Sequence, residues 1–236
     1  MISISSFQTI SPRKSPQHRI NYVKTNMLAD SISFKGIEQT SSSTSDFFLR
    51  LKVKNEARKI LKSATKISSE AINEYQNAQK CCNISSLDSF EQSTWYIQEE
   101  IQSIESSEKS NMTFVTYNNG DKDIIIQDSN NTISCIIKRP SIGKNKVFLY
   151  SDGELRESFK TRDYNFNSDF RSGTEEQYQF TDGELTSYTP KKNAYGVYPI
   201  MHQLYCFKNG SISSYMENVH MLDKTYNFSK LLTFKN

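Results

Sequence analysis

The sequence predicts an α+β protein: an N-terminal disordered tail, a long helix or helical hairpin, then an antiparallel β-meander of repeated hairpins. Three observations lead there. No Gly or Pro falls between Asp46 and Glu108, and apolar residues in that stretch recur mostly at spacings of three and four. From Met112 onward, runs rich in Ile, Val, Tyr, Phe and Thr alternate with turn signals. Four of those signals share one form, an aromatic residue, one spacer and then Asn-Gly or Asp-Gly, beginning at Tyr117, Tyr150, Phe180 and Phe207.

The expected boundaries are a tail at 1–43, a helical segment at 44–110 and a β-hairpin repeat domain at 111–236. The tail is rich in Ser, Thr, Asn and Gln, carries Pro12 and Pro16, and holds neither strand nor helix periodicity. Such a composition buries too little apolar surface to offset the entropy of ordering. Between Arg13 and Lys35 its charges are mostly positive, with Asp30 the only acid. A solvated tail is the expectation; polybasic docking and a Ser-rich, acid-poor transit peptide are the alternatives.

In the helical segment, Ala57, Ile60, Leu61, Ala64, Ile67, Ala71, Ile72 and Tyr75 form an amphipathic pattern. Ser45 or Asp46 can accept the orphan amides of its first turn, and the helix should end near Cys82 and Asn83. A second helix is expected to start at 86–89, where Asp88 with Glu91 and Ser89 with Gln92 are rival capping boxes. Leu87, Phe90, Ile97, Ile101 and Ile104 would form its stripe. The first helix carries Arg50, Lys52, Lys54, Arg58, Lys59, Lys62 and Lys66. The second carries Asp88, Glu91, Glu99, Glu100, Glu105 and Glu108. Opposite charge favours an antiparallel pair, with one bent helix through Asn83 as the alternative.

Strands are expected at 113–117, 123–127, 132–138 and 146–150, then around the remaining turns, and finally at 215–220 and 225–234. A two-residue type I′ turn needs positive φ at both central positions, which Asn, Asp and Gly tolerate. With Asp182 and Gly183 in the turn, Phe180 lies opposite Leu185 and Tyr178 opposite Ser187. The same register pairs Tyr150 with Leu155 and Phe207 with Ile212. One face is then apolar and one wet, with Tyr188 and Tyr215 on the wet face and Phe159 on the apolar one. A lone hairpin is marginal in water, so the apolar face of Phe148, Tyr150, Phe180 and Phe207 should be covered by the helices.

The unit aromatic, spacer, Asp or Asn, Gly, spacer, Leu or Ile, two spacers, aromatic is complete from Phe180 to Tyr188 and from Phe207 to Tyr215; the run from Tyr150 reaches its second aromatic one residue late, at Phe159. This pattern resembles the hairpin repeats of MORN-like bacterial proteins, over about residues 114–234. The resemblance implies a single-layer β-meander used for protein or membrane contact rather than catalysis.

Composition narrows the chemistry. Of 236 residues, 36% are hydrophobic and the net charge is +3, too small by itself to demand a polyanionic partner. No apolar run approaches the ~18 residues of a membrane span, and no apolar stretch follows Met1, so a soluble cytoplasmic protein without a signal peptide is expected. The four cysteines, Cys81, Cys82, Cys135 and Cys206, lack metal-type spacing and read as reduced thiols. Of the three histidines, His18 falls in the tail, while His202 and His220 bracket the last Asn-Gly hairpin. Cys206, between Tyr205 and Phe207, reads as a packing residue rather than a nucleophile. Glu154 and Glu184 occupy equivalent positions after their glycines, but Ser211 breaks the acidic row. With no phosphate loop, nucleophile elbow or zinc motif, no catalytic residue, cofactor or metal is expected, and no enzyme.

The resulting expectation is a non-enzymatic protein-binding or scaffolding module. Tyr188 and Tyr215, recurring on the wet face, are its candidate contact residues. The alternative is docking to nucleic acid or anionic membrane through the basic helix at 50–66, using Arg50, Lys54, Arg58 and Lys62.

Overall fold

The computed structural model describes residues 44–84, 100–107, 111–165, 170–193, 200–222 and 225–235. The expected tail at 1–43 and the expected second-helix start at 86–89 lie outside them. Helix α1 spans Thr44–Ile84, 41 residues. Its inward stripe is Val53, Ala57, Ile60, Ala64, Ala71, Ala78 and Cys81, all buried. The alanines at 57, 64, 71 and 78 are spaced by sevens, so a small side chain meets the sheet at regular intervals. Because the helix begins at Thr44, Ser45 and Asp46 lie inside its first turn instead of capping it. There the Asp46 carboxylate faces the positive end of the helix dipole and pairs with Lys230 at 3.3 Å.

Fourteen strands follow among the described residues. They are β1 Ile101–Ser107, β2 Met112–Tyr117, β3 Lys122–Gln127, β4 Ile133–Arg139, β5 Asn145–Ser151, β6 Glu154–Thr161, β7 Asp163–Asn165, β8 Phe170–Ser172, β9 Thr174–Thr181, β10 Glu184–Asn193, β11 Ile200–Lys208, β12 Ser211–Leu222, β13 Thr225–Asn227 and β14 Lys230–Thr233. Twelve form one antiparallel sheet in sequence order, with β13 and β14 both pairing β12. β7 and β8 make a separate small antiparallel hairpin.

β1 corrects the expectation of helix over 101–107. Ile101 and Ile104 lie on a strand paired to β2, with Ile104 opposite Val115 and a Ser106 Oγ to Thr113 Oγ1 contact of 3.1 Å. A three-residue spacing of isoleucines suits either a helix stripe or one irregular strand. Here a sheet that would otherwise end on β2 gains a partner.

Three of the four turns take the expected form. Asp152 and Gly153 have φ of 54° and 79°, Asp182 and Gly183 51° and 76°, Asn209 and Gly210 50° and 68°. Those values satisfy a type I′ turn. At the fourth, Gly120 has φ of 86°; Tyr117 N–H donates to Asp121 O and Gly120 N–H to Tyr117 O, both at 3.0 Å. That loop closes on a glycine bulge instead.

Just beyond each type I′ turn the register slips by one residue. Tyr150 pairs Leu155 but Leu149 pairs Glu157; Phe180 pairs Leu185 but Gln179 pairs Ser187; Phe207 pairs Ile212 but Cys206 pairs Ser214. Arg156, Thr186 and Ser213 are the extra residues. A bulge reverses the facing of everything beyond it. Tyr178 therefore opposes Tyr188, not Ser187, and Tyr205 opposes Tyr215. Phe159 moves to the opposite face, beside Val147.

The slips align one row of cross-strand partners on the helix side: Thr113, Ile125, Ile136, Phe148, Ser158, Tyr178, Tyr188, Tyr205, Tyr215 and Leu232. α1 lies along this row, across the strands. From Arg50, at β14, to Ala71, at β5, the helix rises about 31 Å; the sheet advances six strand spacings over the same interval, about 29 Å.

The sheet is not one-faced. On its second side Ile126, Cys135, Ile137, Val147, Phe159 and Tyr164 form a buried cluster. Leu204, Met216 and Val219 form another. β3 to β5 read as near-continuous apolar runs, the signature of strands buried on both faces. Tyr164 of β7 stacks edge-on against Phe159 at 5.4 Å.

Candidate docking surface

The inward side of α1 is fixed by polar contacts at intervals along it. Arg50 Nη1 donates to Thr233 O at 2.7 Å, and Arg50 and Lys54 sit 5.7 and 5.9 Å from the Phe234 ring. Two of the four expected basic contact residues thus hold the end of the chain. Farther along, Lys146 pairs with Glu70 at 2.5 Å, and Lys138 bridges Glu74 at 2.8 Å and Asp123 at 3.1 Å. Burial pulls the Lys138 pKa down, but Asp123 and Glu74 outweigh it and leave the ammonium more basic than usual. Tyr150 Oη donates to Ala71 O at 2.8 Å.

Tyr188 and Tyr215 do not form a wet-face contact row. Tyr215 is 2% exposed and Tyr188 is half-buried. Their rings belong to a ladder running from Tyr178 to Tyr188 at 4.7 Å, on to Tyr205 at 5.9 Å and to Tyr215 at 4.9 Å. Tyr215 Oη donates to Glu217 Oε1 at 2.8 Å and accepts from Gln203 Nε2 at 3.1 Å. Burial raises all four phenol pKa values, with neighbouring acids or phenols adding; Tyr205, near Glu56 and Glu217, is pushed up to about 12.

The outward side of α1 carries a different set. Phe47 is 64% exposed, Phe48 63% and Leu51 49%, with the two Phe rings edge-on at 5.7 Å. Arg58, Lys59, Lys62 and Lys66 are exposed as well. Phe47, Leu51, Arg58, Lys62 and Lys66 are separated by fours and sevens, so they share one side, opposite Val53, Ala57 and Ala64. From Phe47 to Lys66 the face is about 29 Å long. Its surface contacts are local: Arg58 Nη1 to Asn55 Oδ1 at 3.3 Å and Lys59 to Glu56 at 3.2 Å. Glu56 is the sole acid from Phe47 to Lys66, against seven Lys and Arg. Sequence reasoning missed the three apolar residues. Their signal was present: they fall outside the Val53, Ala57, Ile60 stripe, so a helix buried on that stripe turns them outward.

Burial raises the Cys81 thiol to about 11 and raises the Cys206 thiol too. His202 and Cys206 share a face of β11 but stand four residues apart, about 13 Å along a strand. A cleft of about 230 Å³ between α1 and the β5–β6 turn is lined by Tyr75, Gln76, Gln79, Tyr150 and Gly153. Among the described residues, no three His, Cys, Asp or Glu side chains cluster to hold a metal. No helix among them is long and apolar enough to cross a membrane.

No protein-family model matches the chain, and no curated protein matches it. Among solved structures, similarity is found to a mutant of S. aureus TarM in complex with Fondaparinux, alpha-GlcNAc-glycerol and UDP, at 9% identity and a TM-score of 0.29. The match covers 64% of this chain and 27% of that one, so the chain spans about a quarter of that protein's length. At that TM-score the likeness carries no argument about fold or function.

Proposed function

We propose that the protein is a non-enzymatic docking module that attaches to an anionic partner through the outward face of α1, with the sheet as its platform. The observation that carries this reading is the line of exposed Phe47, Phe48 and Leu51 with Arg58, Lys59, Lys62 and Lys66 on one helix side. An exposed apolar group beside an excess of positive charge marks a contact surface more often than scattered single residues do. The sheet supplies no competing surface of this kind from Tyr188 or Tyr215, whose rings pack beneath the helix. The resemblance to MORN-like repeats supports a contact role as well. A cytoplasmic setting belongs to the same reading, supported by Cys81 and Cys206, which form no disulfide. Scaffolding of a protein partner is the second reading; it needs an acidic surface on that partner.

Salt titration on immobilised heparin tests the proposal. Retention that falls steeply with salt, and that shifts to lower eluting salt in Arg58→Gln/Lys62→Gln, is the expected result. No retention at low salt ends it.

A further inference from the structure

Resting on that docking reading, we infer that the anionic partner is the surface of a lipid bilayer, entered by Phe47, Phe48 and Leu51 while the basic residues lie over the headgroups. Three features select a bilayer over nucleic acid. First, the exposed trio is wholly apolar, two phenyl rings and an isobutyl group with nothing to read a base edge. Second, the Phe47 and Phe48 rings meet at 75°. That edge-on pair presents no parallel faces on which successive bases could stack, whereas hydrocarbon accepts any ring orientation. Third, the face is a convex ridge about 29 Å long, which fits a broad planar surface.

The charges lie where the inserted end needs them. Arg58, Lys59, Lys62 and Lys66 follow the apolar trio along the same side of the helix. Their aliphatic stems can lie along the interface while their heads stay with lipid phosphates. One small apolar anchor binds membranes only marginally, and stable attachment takes a second, electrostatic signal. α1 supplies both on one face. The helix is also held in place beforehand: Arg50 on Thr233 O, Glu70 on Lys146 and Glu74 on Lys138 fix which side looks outward. No folding step is then charged against binding.

The test uses the full chain with vesicles of phosphatidylcholine alone or mixed with phosphatidylserine, and with immobilised heparin and duplex DNA as polyanions without hydrocarbon. Two variants are compared: Phe47→Ser/Phe48→Ser/Leu51→Ser and Arg58→Gln/Lys59→Gln/Lys62→Gln/Lys66→Gln. All seven side chains are exposed, and circular dichroism melts check that the fold is kept.

The parent should bind the serine-lipid vesicles and not the neutral ones. The apolar variant should lose about a hundredfold in vesicle partitioning yet elute from heparin unchanged. The charge variant should lose about a hundredfold or more on both. Equal vesicle binding by the apolar variant and the parent overturns the bilayer inference. Binding to heparin or DNA without vesicle binding overturns it too, and leaves the docking reading intact. Binding to none of the three overturns both.

Discussion

At the scale of single residues, the hairpins show what one extra residue does. Asp152, Asp182 and Asn209 with their glycines were legible as turns because few residues hold positive φ. Arg156, Thr186 and Ser213, which flip the strands that follow, were not. A bulged residue can sit close to the right-handed helical region, which most residues adopt, so no composition marks it. That is why the first partner of each turn was readable and the facing of Tyr188 and Tyr215 was not. The ladder these slips create has an alkaline signature. An unfolded phenol ionises near pH 10, whereas Tyr205 is held to about 12. The unfolded chain therefore loses its protons first. The ladder's contribution is complete below about pH 10 and disappears as pH rises through the folded value. Absorbance titration of phenolate alongside urea melts checks this; four ladder tyrosines titrating near pH 10 in folded protein would contradict it.

At the scale of elements, α1 was legible because its period is sustained and uninterrupted, and its alanine spacing explains how it lies so close to aromatic strands. Ala64, 4% exposed, shares a cluster with Tyr178, Tyr205 and Tyr215. Replacing it by Leu adds carbon where rings already fill the space. Ala64→Leu should cost about 1–3 kcal/mol in urea unfolding; an unchanged midpoint would mean the contact is slack. β1 was misread because Ile101 and Ile104 fit either element, and the acidic residues before it suggested a helix partner for the basic stretch. The second apolar face was readable in the runs at Ile124 to Ile126 and Val147 to Leu149. Expecting alternation hid it.

At the scale of the whole molecule, the candidate surface depends on how the chain is tied together from its two sides. Lys230 and Thr233, from the last strand, hold the start of α1, and the second strand's Thr113 receives the Cys82 thiol at 3.8 Å near its end. The candidate surface was half legible: Arg58 and Lys62 stood out as charge, but whether Arg50 and Lys54 were free depended on Phe234, nearly two hundred residues away. No local pattern carries that. Removing residues 1–99 should leave a sheet whose tyrosine row meets water and which aggregates; a soluble fragment that melts cooperatively would show that the sheet stands without its helix.

The sevenfold alanine spacing has one more effect. Seven helical residues advance about 10.5 Å, and one hairpin of two strands advances about 9.6 Å, so helix and sheet keep step like two rulers with almost equal divisions. Growth of such a molecule is quantised: each added hairpin requires one added heptad, and either alone throws every later tooth out of its gap. The mismatch of roughly 1 Å per division accumulates slowly. Over the three intervals from Ala57 to Ala78 it stays below one strand spacing, but it caps how long an ungapped version of this ruler can be.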